Sequence, residues 1–264
     1  MFSEDVREEE QVQYPRYFRH IKINPVKTGL FLVCFLILPI ILEFYYMDRI
    51  TYLMCRFGEI VLKKSGAPFV TILSGDLHGF KYYFLNVRET FPSVGLIIVN
   101  IIASFGVLTI CGLNRIRERV LSLTLTIAGM FHLMVSLYFY FARYEVTIDQ
   151  KNYSMTYMVM QLGLWIGLIG VMGYIMGITG DKGYIRKILL YISFLAYSFL
   201  FGTLRYVLVM YFIYKYSILY GPVLFFFGGV ILDVFYVNFY MAIFVRHTVK
   251  HNKQEKKAGT YGFY

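Results

Sequence analysis

Stretches of mainly apolar residues, divided by short polar breaks, run through most of the chain. A helix that crosses the hydrocarbon of a bilayer takes about 20 such residues. The pattern therefore predicts six transmembrane helices: Thr28–Met47, Pro92–Leu113, Val120–Phe141, Tyr157–Ile178, Ile188–Ile213 and Leu219–Val245. Polar breaks fall at Asn114-Arg115-Ile116-Arg117-Glu118-Arg119 and at Thr179-Gly180-Asp181-Lys182-Gly183. Pro92 is expected to open the second helix, where its missing N–H leaves no bond unmade. The expected fold class is all-α, a polytopic membrane helical bundle over residues 28–245, with tails at 1–27 and 246–264.

The long connection at 47–91 has its own pattern. Ile50, Leu53, Met54, Phe57, Ile60 and Val61 recur at helical spacing, with Arg49, Arg56, Glu59 and Lys63 between them. That arrangement suits a helix lying in the membrane interface. Gly66 and Pro68 end it, Phe69–Leu73 reads as extended, and Ser74-Gly75-Asp76-Leu77-His78-Gly79 reads as a turn. No soluble domain of useful size fits here, so a single domain is expected.

Composition removes the alternatives. Of 264 residues, 58% are hydrophobic and 16% charged, and aromatic residues reach 19%. A soluble domain cannot hide so much apolar surface, and a disordered chain would not carry it. The three cysteines, Cys34, Cys55 and Cys111, have no disulfide or zinc spacing. Acidic Glu4, Asp5, Glu8, Glu9 and Glu10 precede any apolar stretch, unlike a signal peptide, so the first span is expected to act as its own targeting signal. Walker, dinucleotide, zinc-protease and CxxC motifs are absent, and no cofactor or metal is expected.

Net charge is +10, and its distribution sets an orientation. With the N-terminus inside, sixteen Lys and Arg fall on the inner side and nine on the outer, six of those nine in the long connection. Basic inner loops predict both termini in the cytoplasm of a multi-pass cell-membrane protein. The basic run at Lys250–Lys257 is read as facing anionic lipid rather than nucleic acid.

Polar groups within spans mark candidate function, because hydrocarbon penalises them. Arg205, Asn100, Gln161 and Glu43 lie toward the outer side, with His132 and Asp233 nearer mid-membrane. Ser198, Gly202 and Arg205 share one helix face, so the guanidinium is expected to point into the bundle, in an outward-facing polar pocket. A buried guanidinium needs an acid, a carbonyl cluster or an anionic ligand, and Asp233 or Glu43 would serve. Gly163, Gly167, Gly170 and Gly177 form a stripe suited to close helix packing.

Arg186-Lys187, then Gly202-Thr203-Leu204-Arg205-Tyr206, then Tyr220-Gly221-Pro222 carry a resemblance. This second half resembles the exosortase/archaeosortase family, multi-pass transpeptidase-like enzymes that process C-terminal sorting signals of exported proteins. The resemblance implies an outer-face site of Cys, Arg and His on successive membrane helices. Arg205 takes the arginine's place, with Gly202 where the family has Asn. The family's Cys would fall near Ser154-Met155-Thr156-Tyr157 and its His near Tyr220, so Cys55 and His78 of the outer connection are the candidate substitutes. Two function classes follow. One is an exosortase-like protein, catalytic or not, whose partner is the C-terminal segment of exported proteins. The other is a transporter or permease subunit using an Arg205–Asp233 relay with His132, or a scaffold among membrane-complex subunits.

Overall fold

The computed structural model describes residues 25–67, 69–87, 90–113, 118–142, 150–178 and 184–243. The tails, the breaks at 114–117 and 179–183, and Pro68 lie outside the described residues, as does the lipid-facing reading of the basic C-terminal run. Within them, six helices are long and apolar enough to cross a membrane: Thr28–Tyr45, Val94–Gly112, Leu121–Phe141, Asn152–Gly177, Ile185–Lys215 and Ile218–Ile243. The chain is an all-α membrane-type bundle carrying one small sheet.

The first span is α1 (Pro25–Leu32), a π-helical segment (Val33–Ile37) and α2 (Leu38–Tyr45). At Tyr46 the helix breaks and α3 (Met47–Lys64) begins. A hairpin of β1 (Thr71–Leu77) and β2 (Phe80–Asn86) follows, then α4 (Val94–Gly112), α5 (Arg119–Phe141), α6 (Gln150–Ile178) and α7 (Tyr184–Lys215). The last span opens with a 3-10 turn (Ile218–Tyr220) and α8 (Gly221–Phe225). It then passes through a second π-helical segment (Phe226–Ile231) and stays helical over 232–243.

One expectation needs correcting at the second span and one before it, where Ser74–Leu77 extend the strand β1 and only His78 and Gly79 of the expected turn form it. Pro92 stands outside the helix, and Ser93 is its N-cap, with Oγ accepting from Leu96 N at 3.2 Å. A serine oxygen satisfies an end N–H that proline at N1 would merely leave unused. The second strand of the hairpin is also new. Phe80-Lys81-Tyr82-Tyr83-Phe84-Leu85 lacks the alternation of a half-buried strand, because Phe84 and Leu85, on opposite faces, are both fully buried. Leu77 pairs with Phe80 across a two-residue turn in which His78 and Gly79 both have positive φ, 53° and 87°. That is the turn geometry whose twist matches a hairpin, and Asp76 Oδ1 holds it by accepting from Gly79 N at 2.8 Å.

The hairpin and α3 form a cap on one end of the bundle. Thr51 Oγ1 accepts from Tyr83 N at 3.0 Å, tying α3 to β2. A Cβ at Gly58 would stand 2.7 Å from Leu85 and 3.0 Å from Val207, so α3 is wedged between β2 and α7. Met54, Cys55 and Leu62 face that wedge, whereas Tyr52, Leu53, Phe57 and Ile60 are exposed. One apolar face thus meets protein and another remains for the membrane interface.

Small residues set the helix contacts, at positions only partly those expected. Gly177 packs on Leu32, and Gly173 packs so closely on the Phe35 carbonyl that a Cβ would overlap it. Gly163 and Gly167 have nothing within 4 Å of a Cβ, so the stripe serves packing only at its far end. The Phe35 carbonyl, within the π segment, also accepts from Tyr191 Oη at 2.6 Å.

Candidate functional site

α7 runs beside the first span and carries Ser198, Gly202, Arg205 and Tyr206. From the Phe35–Tyr191 contact, Tyr45 lies about 15 Å further along at 1.5 Å per residue. Arg205 lies about 21 Å along α7 from the same contact, about one turn beyond the level where α2 gives way to the cap. Its side chain is 3% exposed. Nη1 donates to Asp233 Oδ2 at 2.9 Å, and Nη2 donates to Gln161 Oε1. Three helices, α6, α7 and the last, are joined at this one guanidinium.

Two glycines make that approach possible. A Cβ at Gly202 would meet Trp165 at 2.8 Å and Gln161 Nε2 at 2.9 Å. A Cβ at Gly229 would stand 3.4 Å from Arg205 Nη1, so bare backbone of the π segment lies against the guanidinium. π-helical turns recur at functional sites, where they re-aim side chains along a helix; here the segment ends just before Asp233. Tyr157, one turn from Gln161 on α6, places its hydroxyl beside Arg205. Below the pair, Tyr236 Oη donates to Ser198 Oγ at 2.9 Å. Arg205 is enclosed rather than set in an open polar pocket. An apolar cavity of about 270 Å³ lies elsewhere, lined by Val135, Phe139, Tyr153 and Pro222.

The next residue, Tyr206, faces the cap. Its fully buried hydroxyl accepts from Leu85 N at 2.7 Å and shares a hydrogen bond with Ser154 Oγ at 2.8 Å. Cys55 also hydrogen-bonds to it. Burial pushes the Cys55 thiol up to about 12, against the opposing pull of that hydrogen bond. The thiolate is the nucleophile, so Cys55 is held in its unreactive form. His78 lies on the exposed turn of the hairpin. Between Leu85, at the Tyr206 hydroxyl, and Phe80, against Phe44 at 5.3 Å, β2 runs about 16 Å. Cys55 and His78 are not brought together. Ser74, Asp76 and His78 form no trio either, since Asp76 closes the turn.

The remaining polar candidates separate. Asn100 donates to Tyr220 Oη at 3.2 Å and meets His132 Nε2 at 2.9 Å, tying α4 and α5 to the last span. His132 thus belongs to a different cluster from Asp233. Glu43 is 6% exposed, and neither carboxylate oxygen has a hydrogen-bond partner among the described residues. No group of three or more His, Cys, Asp or Glu able to hold a metal occurs among the described residues.

Sequence reasoning missed Tyr206, Ser154 and Tyr157. Tyrosine is too frequent in this chain to stand out, and Ser154 and Tyr157 were marked only as the place of an expected cysteine. The doublet Gly228-Gly229 was the available signal for backbone lying against Arg205. Comparison with known proteins adds nothing to the geometry: no family model, no curated protein and no solved structure matches the chain.

Proposed function

We propose that this is a multi-pass cell-membrane protein, both termini cytoplasmic, that holds the C-terminal segment of exported proteins at its capped end without cutting them. The observation that carries the reading is the pairing of Arg205 with a disarmed Cys55. An arginine sits beneath an outer cap, in the short motif that resembles exosortases. The only cysteine near it is fully buried and keeps its proton, hydrogen-bonded to the neighbouring Tyr206. Among the described residues at this place, a cation that can hold a ligand stands beside a thiol that keeps its proton. The basic inner loops support the orientation, and the exposed apolar face of α3 supports a cap resting on the outer leaflet.

Cells expressing Arg205→Ala should release a client that wild-type cells retain, while Cys55→Ala cells should retain it normally. Retention by Arg205→Ala would remove the reading. Loss of retention, together with loss of client cleavage, in Cys55→Ala would make the protein an enzyme instead.

A further inference from the structure

The two faces of α3 differ in composition. Met47, Thr51, Met54, Gly58 and Leu62 are buried. On the opposite side Arg49, Leu53, Arg56, Ile60 and Lys63 follow one another at steps of four and three residues, which makes a single stripe along the helix. All five are exposed, and basic and apolar residues alternate along the stripe. Tyr52 and Phe57 flank it and are also exposed, at 47% and 48%. A face turned to hydrocarbon alone would not carry these cations, and a face turned to water has no use for the apolar residues between them. The interleaving suits the headgroup layer, where apolar side chains dip toward the acyl tails and long basic ones reach back to phosphate.

The level of α3 agrees with that placement. Gly58 meets α7 so closely that a Cβ would stand 3.0 Å from Val207. Arg186, exposed near the other end of α7, comes twenty-one residues before Val207. That separation is about 32 Å along a helix, and the hydrocarbon of a bilayer is about 30 Å thick. α3 crosses α7 where hydrocarbon gives way to headgroups.

Charge decides which headgroup. α3 carries four basic residues and two acidic ones. Glu59 takes both Arg56 and Lys63, at 2.8 and 2.6 Å, so one carboxylate serves two cations. Arg49 lies over the Tyr46 ring at 5.6 Å, and neither it nor Lys64 has an acidic partner among the described residues. A zwitterionic headgroup brings its own cation beside its phosphate. An anionic one brings uncompensated negative charge, which favours every Lys or Arg held near the surface.

We propose that the exposed stripe of α3 is a docking surface for anionic phospholipid headgroups, which hold the cap closed against the bundle. A ligand that binds the closed cap and not the lifted one stabilises it by mass action. The inference goes beyond the client-holding reading and does not depend on it.

The test places the full chain in nanodiscs of phosphatidylcholine, alone or mixed equally with phosphatidylglycerol. Maleimide labelling of Cys55 is followed by mass spectrometry of its peptide. Cys55 is fully buried, so it labels only when the cap lifts. Phosphatidylglycerol should slow labelling about tenfold at low salt, and about 0.5 M salt should erase most of the difference. The ratio of the two rates is read within each variant, so a substitution that merely loosens the cap leaves it unchanged. Arg49→Gln combined with Arg56→Gln and Lys64→Gln should bring the ratio to within about twofold of one. Equal labelling of the wild type in the two membranes would overturn the inference. A triple variant that keeps the full ratio would do the same, because the effect would then belong to basic residues elsewhere. Inorganic phosphate or polyglutamate, added to phosphatidylcholine discs, should have little effect. If either slows labelling as much as phosphatidylglycerol does, the ligand is a soluble anion and the lipid assignment falls.

Discussion

Arg205 and Tyr206 are adjacent on α7, yet each holds a different part of the molecule by a different kind of force. Arg205 points into the bundle and joins α6, α7 and the last helix through an ion pair and an amide. Tyr206 points at the cap and joins it through neutral hydrogen bonds to a strand N–H and a serine. At these two neighbours the bundle contact is charged and the cap contact neutral, although other bundle helices also meet through neutral bonds such as Asn100–Tyr220 and Tyr236–Ser198. A buried ion pair is all-or-none, because removing one member strands the other in low dielectric. A neutral hydroxyl can lose a partner at much smaller cost. The bundle is therefore expected to fail as a unit, and the cap to loosen in steps.

The largest effect should come from breaking the charged side of that contrast. Asp233→Asn leaves the guanidinium buried without a counter-charge and should cost roughly 3–5 kcal/mol in a denaturant titration of the reconstituted protein. The double variant Arg205→Met with Asp233→Leu should recover most of that loss, because apolar residues of similar volume replace buried pairs at little cost. A double variant no more stable than Asp233→Asn alone would mean that the pair is not the element holding these helices. It would also remove the distinction drawn between the two neighbours.

How much of this was visible in the sequence depends on which property carried the signal. The six spans follow from apolar runs alone, and every one is found within a few residues of its expected ends. α3 was legible because its apolar residues keep helical period. β2 was not, because a strand buried on both faces loses the alternation that identifies strands. Arg205 and Asp233 stood out because charge in a span is rare. Their joining could be anticipated as one of two pairings, since both acids were within reach of an argument from depth. Tyr206 and Tyr157 could not be singled out, since a hydroxyl on an aromatic ring looks the same in sequence whether it anchors a cap or faces lipid. The π segments were invisible too, since the apolar runs at Val33–Ile37 and Phe226–Ile231 read like any other stretch of span.

The neutral side is tested by Tyr206→Phe. It keeps the ring and removes the oxygen that accepts from Leu85 N, leaving that buried N–H without a partner at a cost of roughly 1–3 kcal/mol. The loss should be local. Limited proteolysis should cut the hairpin faster, and Cys55, fully buried in the wild type, should become open to maleimide, while the helical signal unfolds at nearly the wild-type denaturant concentration. Bundle and cap melting together in this variant would show that the two are one cooperative unit, and would dissolve the contrast from the other direction.

The finest test reads the cap's hold through pH. In the folded chain the Cys55 thiol keeps its proton up to about 12, whereas its ordinary value is 9.0. Between those values the unfolded chain has lost a proton that the folded chain still holds. Stability must then fall as pH rises, and below about 9 the thiol contributes no slope because both states are protonated. Tyrosines titrate over the same range, so the informative quantity is a difference. The wild type minus Cys55→Ala, compared by cap proteolysis at increasing pH, should be flat below about 9 and should decline steadily above it. A difference that instead rises from near neutral pH toward about 9 would mean that the folded protein holds Cys55 as a thiolate. Cys55 would then be a poised nucleophile rather than a packed thiol, and the absence of chemistry proposed for this membrane protein would have to be given up.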